Sequence, residues 1–229
     1  MMEETLMDTW RDGFPKMSTV VPDGAKAGTA EIRHITVSEQ DAAFSAMRAA
    51  MGRRGSVTAG DVYAQLYVNG TMWMSDTRDE RSDHWGIRRN ARGHVFIGGL
   101  GLGMITLAVA LKEGVTKVTV VDINQDVIDL IGPHIRAAVE ASGRDVEIEI
   151  ICADLYEWKP PTGTKYDAIY QDIWADLCTD NLPEYSKLNR KFGKFRTDGG
   201  YRGAWGEDLL KRRRARDKRE EGRYGRFGW

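Results

Sequence analysis

Residues 94–122, HVFIGGLGLGMITLAVALKEGVTKVTVVD, read as strand, glycine turn, helix and strand, with an acid closing the second strand. His94-Val95-Phe96-Ile97 is a short, mostly apolar run, as a parallel strand covered on both faces requires. Gly98, Gly99, Gly101 and Gly103 follow at once. Without a Cβ, such residues let the backbone turn tightly and lie against a ligand. Met104 to Glu113 is apolar at most positions, as in a helix packed on a sheet. Val118 to Val121 is the second strand, and Asp122 stands at its carboxyl end. Open α/β sheets bind ligands beyond the carboxyl ends of their strands, near a helix N-terminus. An acid about 20 residues past the turn can accept both hydroxyls of a ribose. The stretch therefore predicts a nucleoside-binding βαβ unit. Its glycines follow GxGxG, because Met104 stands where the dinucleotide pattern GxGxxG has its last glycine.

A chain of 229 residues with 41% hydrophobic content fits one domain with a small appendage. Its net charge of -1 gives no overall field for nucleic acid or membrane, but the charge is unevenly placed. Residues 211–229 hold nine Lys/Arg against three acids, a surplus of about six. Cys152 and Cys178 lie in no metal or redox spacing, and His34, His94 and His134 form no metal pattern, so no metal site is expected. Two cysteines exclude a disulfide scaffold and suit a reducing cytoplasm. The acidic N-terminus argues against a secretory signal, and the longest apolar run, near Met104 to Leu111, is too short to span a bilayer. A soluble, cytoplasmic protein is expected, and nothing in the sequence opposes a homodimer.

Residues 1–29 lack periodicity and read as irregular or as an arm. Glu31 to Val37 alternates as a strand, and Ser38-Glu-Gln-Asp41 resembles a capping box opening a helix to about Met51. Two β-rich runs, Asp61 to Val68 and Thr71 to Ser75, flank Asn69-Gly70, a strong hairpin signal. Asp76 to Asn90 is charged and leads into a helix. Asn124 caps a helix through Ile131, which Pro133 breaks or kinks before His134 to Ser142 resumes. Val146 to Cys152 and Tyr166 to Asp172 are the third and fourth core strands. Leu182 to Phe192 is a helix, Tyr201 to Trp205 a poor fifth strand, and the remainder a charged helix with a Gly/Arg/aromatic end. The expected organisation is an α/β appendage with a hairpin over 1–90, a Rossmann-like unit over 91–208 and a basic tail over 209–229. The chain ends before seven strands are complete.

From about Leu66 to Asp172 the chain resembles the class I methyltransferase fold that uses S-adenosylmethionine (SAM), and within it the spermidine synthase (aminopropyltransferase) branch. GxGxG is the form found in SAM enzymes. That branch has a hairpin run like D-G-x-x-Q-x-T-x-x-D-E; here Asn69-Gly70-Thr71-Met72-Trp73-Met74-Ser75-Asp76 is similar, with Asp79-Glu80 following. Ile97 matches its apolar residue before the glycines, Asp154-Leu155-Tyr156 its adenine-side motif, and Asp172 its catalytic acid. The resemblance implies SAM or decarboxylated SAM as cofactor. Three departures stand out: Trp73 replaces a glutamine, Arg81 and Asp83 replace two aromatic residues of the amine pocket, and Asp172-Ile173-Trp174 lacks the second amine-binding acid. Asp176 could replace that acid only with an altered loop.

The candidate cofactor residues are thus Gly98, Gly99, Gly101, Gly103, Asp122, Ile123, Asp154, Leu155, Asp172 and Trp174, with Asp172 the catalytic candidate. Each has a plainer alternative. Asp122 can serve the helix beginning near Asn124, and Asp154 can be a solvated turn acid. Asp172 can act as a base or only orient the SAM amino group. Trp174 can wall the sulfonium or belong to a lid or core. Ile123 is placed on the purine, and Tyr156 or Trp158 flanks it or joins the core. Asp79 and Glu80 reach the ligand or form a solvated run, and His84 reads as structural. Methyl transfer to an unidentified acceptor is the leading expectation. Aminopropyl transfer is second. A non-catalytic SAM- or nucleic-acid-binding protein is third, because Arg interleaved with Tyr224, Phe227 and Trp229 suits nucleic-acid contact. The motifs of the usual DNA methylases are absent after the fourth strand.

Overall fold

The computed structural model describes residues 8–51, 57–174 and 178–224. Strands β1 (Lys26–Ala27), β2 (Ala30–Thr36), β3 (Val62–Val68) and β4 (Thr71–Ser75) form an antiparallel sheet in that order. Asn69 takes φ 51° and Gly70 φ 75°, the left-handed pair that a tight β3–β4 hairpin needs. Helix α1 (Glu39–Ala50) joins β2 to β3 and is capped as expected, with Asp41 N donating to Ser38 Oγ at 3.1 Å.

Two short helices, α2 (Arg78–Asp83) and α3 (Trp85–Asn90), lead into the larger sheet. It contains β5 (Gly93–Gly98), β6 (Val115–Asp122), β7 (Glu147–Cys152), β8 (Tyr166–Gln171) and β9 (Arg196–Ala204), all parallel, in the order β7-β6-β5-β8-β9. Helices α4 (Met104–Ala110), α5 (Gln125–Ala141), α6 (Leu182–Gly193) and α7 (Glu207–Tyr224) complete the described chain. This is the expected α/β, Rossmann-like architecture with five core strands.

The central strand shows why its sequence is apolar at consecutive positions. Val95 and Ile97 pack into one core with residues of α4 and α5, whereas Phe96 points the other way. There it stacks on Phe192 of α6 at 4.7 Å and on Trp158 at 5.5 Å between ring centroids. Both faces are covered, as a doubly wound sheet demands.

Three expectations are corrected. Pro133 does not break the helix in two: α5 is continuous from Gln125 to Ala141. Pro133 is on the exposed side, while Ile135 and Val139 beyond it are buried. An interior proline costs about 3 kcal/mol, and burying two such side chains contributes roughly 1.5–3 kcal/mol each. Residues 10–21 are not a loose arm, because Trp10, Phe14, Met17 and Val21 are core residues. The fifth strand starts at Arg196, not Tyr201. Its register with β8 jumps from Tyr166↔Arg196 to Ala168↔Tyr201, and the bulge hides its alternation.

Asp76 organises the N-terminal part. Fully buried, it accepts the backbone N–H of Met17 and of Ala64, both at 2.9 Å, and the indole N–H of Trp10 at 3.4 Å. Burial raises its pKa, and these donors pull the other way. One carboxylate thus ties the N-terminal segment to the hairpin. Asp76→Ala leaves these donors without a partner and is expected to cost about 3 kcal/mol or more. Asp76→Asn is expected to rescue little, since its NH2 group faces donors. Urea denaturation followed by circular dichroism measures both variants.

Candidate functional site

A cavity of about 300 Å³ opens at the carboxyl ends of β5, β6, β7 and β8. In the order of the sheet, β5 connects onward to β6 on one side, while β8 returns on the other. The cavity therefore lies where strand order reverses, the place at which open α/β sheets hold ligands. Hairpin residues Trp73 and Met74 and the more distant Trp205 also contribute to its walls.

The turn after β5 is fixed by close backbone contact. Gly99 has φ +95°, donates its N–H to Val121 O at 2.8 Å, and leaves no room for a Cβ beside the carbonyl of Asp172. A Cβ on Gly101 would strike the sulfur of Met74, which also accepts the Leu102 N–H at 3.0 Å. The hairpin is thus seated directly on the glycine turn. Gly98 and Gly103 stand behind the cavity, against Gln171 and Leu155 in one case and Ile131 and Ile135 in the other.

Asp122 faces the cavity from the end of β6. Its Oδ2 accepts the Leu100 N–H at 2.7 Å and its Oδ1 the Asn124 N–H at 2.8 Å. Each oxygen keeps a lone pair for a further donor. Asn124 itself caps α5 through its Oδ1. Ile123 lies at the rim, 71% exposed. Asp154, past β7, accepts the Tyr156 N–H at 2.7 Å through Oδ1, and Leu155 lines the wall beside it. Glu184 of α6 accepts from both Tyr156 Oη, at 3.0 Å, and Trp174 Nε1, at 2.8 Å. One carboxylate therefore links the aromatic walls that follow β7 and β8.

Asp172 follows β8 and donates its backbone N–H to Gly98 O at 2.7 Å. Its carboxyl is pushed up to about 8, first by burial and then by the charges of Glu80, Asp83 and Asp122. His84, itself buried, has Nε2 4.0 Å from Asp172 Oδ2, and its Nδ1 shares a 2.9 Å hydrogen bond with Tyr170 Oη. Asp83 accepts from Trp205 Nε1 at 3.1 Å. Among the described residues, four carboxylates line the cavity (Glu80, Asp122, Asp154 and Asp172), and no Lys, Arg or His does.

Of the sequence candidates, Gly99, Gly101, Asp122, Ile123, Asp154, Leu155, Asp172 and Trp174 converge here. Tyr156 joins them, whereas Trp158 is taken into the packing around Phe96. Glu80 lines the cavity; Asp79 does not. Arg81 points elsewhere, donating to Asp12 at 2.7 Å and to Asp76 O at 2.6 Å. Asp176 and the aromatics Phe227 and Trp229 lie outside the described residues. Sequence reasoning missed Glu184 and Trp205, which reach the site from distant parts of the chain without a local motif. Among the described residues no group of His, Cys, Asp and Glu could hold a metal ion, and no helix is long and apolar enough to cross a membrane.

No family model and no curated protein sequence matches the chain. Among solved structures it is similar to a Streptococcus mutans protein described as a SAM-dependent methyltransferase, with 19% identity and a TM-score of 0.47 over 65% of this chain and 40% of that one. It is also similar to the CcbJ methyltransferase of Streptomyces caelestis, at 15% identity and TM-score 0.41, over 55% of this chain and 48% of that one. Coclaurine N-methyltransferase bound to N-methylheliamine and SAH gives 21% and 0.40, over 52% and 33%. The chain thus spans less than half the length of each of these three proteins.

The Asp172 environment has a measurable consequence. Its folded pKa, about 8, lies above the ordinary carboxyl value of 3.8. The folded state therefore binds the extra proton between these values, and stability falls as pH rises from about 4 to about 8. Asp172→Asn removes the ionisation. The variant is expected to match the parent near pH 4 and to exceed it in thermal stability at pH 8 and above. Melting curves across that range check this.

Proposed function

We propose that the chain is a SAM-dependent transferase, and that it transfers a methyl group. The observation that carries this reading is the convergence of Asp122, Asp154 and Asp172 with the glycine turn around one cavity at the strand-order reversal. The cavity volume lies at the lower end of the range for small-molecule sites. In this reading Asp122 accepts the ribose hydroxyls with its two remaining lone pairs. Ile123 and Leu155 pack on the purine, and Asp154 Oδ2 accepts the adenine amine. Gly99 and Gly101 lie against the ligand, while Gly98 and Gly103 shape the turn behind it.

When bound, SAM supplies an activated methyl group on a sulfonium leaving group. The protein's part is then chiefly positioning. Trp174 walls the sulfonium side, where a cation near an aromatic face gains roughly 0.5–2 kcal/mol. Asp172 holds the acceptor or removes its proton. A cation held against Asp172 favours its ionised form, which offsets the burial that raises its pKa. Aminopropyl transfer, as in the spermidine synthase branch, is the second reading. It draws support from the hairpin seated on the glycine turn and is weakened by Arg81, which is paired with Asp12 instead of lining an amine pocket. The free thiols of Cys152 and Cys178 agree with a reducing cytoplasm.

Isothermal titration with SAM and with its demethylated product SAH tests the proposal. Binding of both is expected, and Asp122→Ala should weaken it by roughly 100-fold or more, as the loss of two charge-assisted hydrogen bonds implies. Circular dichroism establishes that the variant is folded. No heat from the parent with either compound overturns the reading. Mass spectrometry after incubation with decarboxylated SAM and putrescine separates the two transfers, since spermidine forms only in the second.

A further inference from the structure

The acidic cavity leaves the chain's cations to another task, and they are concentrated in one place. Residues 186–219 hold thirteen Lys/Arg against four acids, a surplus of nine in a chain whose net charge is -1. This segment runs through α6, β9 and α7. Leu210, in the first turns of α7, is buried with Trp174, Leu182 and Tyr185. From residue 211 to 217, and again at 219, every side chain is exposed. The helix therefore leaves the protein body beside the cavity wall and carries its charge into solvent.

The spacing along α7 is regular. Arg212, Arg216 and Arg219 recur at i, i+4 and i+7, which places them in one stripe about 10 Å long at a rise of about 1.5 Å per residue. Arginines so spaced repel one another, by tenths of a kcal/mol per neighbouring pair. Asp217 is the one acid among residues 209–219, and it approaches Arg216 Nε at 3.6 Å. Lys187 and Arg190 of α6 are also exposed, and Lys187 Nζ lies 4.6 Å from the ring centroid of Tyr156 at the cavity. A row of exposed arginines, in a stretch with Asp217 as its one acid, suits a ligand with regularly repeated negative charge.

We propose that α7, with the adjoining basic residues of α6, binds the phosphate backbone of a nucleic acid. A repeating phosphate chain matches a row of planar, multiply donating guanidinium groups. A lipid surface is disfavoured because α7 offers no apolar stripe beyond Leu210 to enter it. The surface requires neither the cofactor nor the cavity, so the proposal stands apart from the transferase reading.

The test uses the full chain and fluorescence anisotropy with labelled single-stranded RNA, single-stranded DNA and duplex DNA of about 20 nucleotides, at about 50 to 200 mM salt. Binding of at least one of them is expected, with affinity falling log-linearly as salt rises. The triple variant Arg212→Gln, Arg216→Gln, Arg219→Gln should bind at least about 10-fold more weakly at low salt, with a salt slope shallower by roughly 2–3, as lost phosphate contacts require. These side chains are exposed, so the melting temperature should not change. The proposal is overturned if the parent binds none of the three at the lowest salt, or if the triple variant retains both affinity and slope. It is also overturned if polyglutamate or phosphatidylserine vesicles bind as tightly as the best polynucleotide.

Discussion

The structure depends on how three strand ends are brought to one point. Gly99 admits the Asp172 carbonyl where a side chain would stand, and Asp172 returns a backbone hydrogen bond to Gly98. Asp122 then accepts from Leu100 in the same turn. The ends of β5, β6 and β8 are thereby locked together, and Asp122 and Asp172 are positioned from them. The hairpin adds the sulfur of Met74 from above. Because the site is built chiefly on strand ends and a hairpin, its geometry follows from packing in the sheet.

Electrostatics divide the molecule. Half-buried carboxylates surround the cavity, and their charges add to the burial that makes Asp172 resist ionisation. Such a group of like charges is costly in the absence of a cation, and among the described residues no protein cation lines the cavity. The compensating positive charge is placed on α6 and α7, outside the cavity, where water screens it. A nearly neutral total thus conceals two regions of opposite sign.

Local signals carried far in the sequence. Asn69-Gly70 located a hairpin, Ser38 a helix start, and the apolar run before Gly98 the central strand, since each depends on neighbours within a few residues. Long-range partners were silent. Trp10 and Met17 look like part of an arm until Asp76, some sixty residues on, provides their acceptor. Arg81 aligns in sequence with an amine-pocket position, yet it is buried, paired with Asp12 and laid over the Trp10 ring at 4.4 Å. Pro133 suggested a break because the sequence does not tell which side of a helix meets water. Glu184 and Trp205 are placed at the cavity by packing of α6 and β9, which no motif announces.

The irregular β9 has a further consequence. It is an outermost strand of the larger sheet, where exposed N–H and C=O groups would invite another chain to pair. Its inner register is interrupted by the extra residues between Arg196 and Tyr201, with Gly199 at φ 70°. A distorted border of this kind is a poor template for strand addition. Self-association through continuation of the parallel sheet is therefore discouraged on that side, which leaves β7 as the regular border of the same sheet.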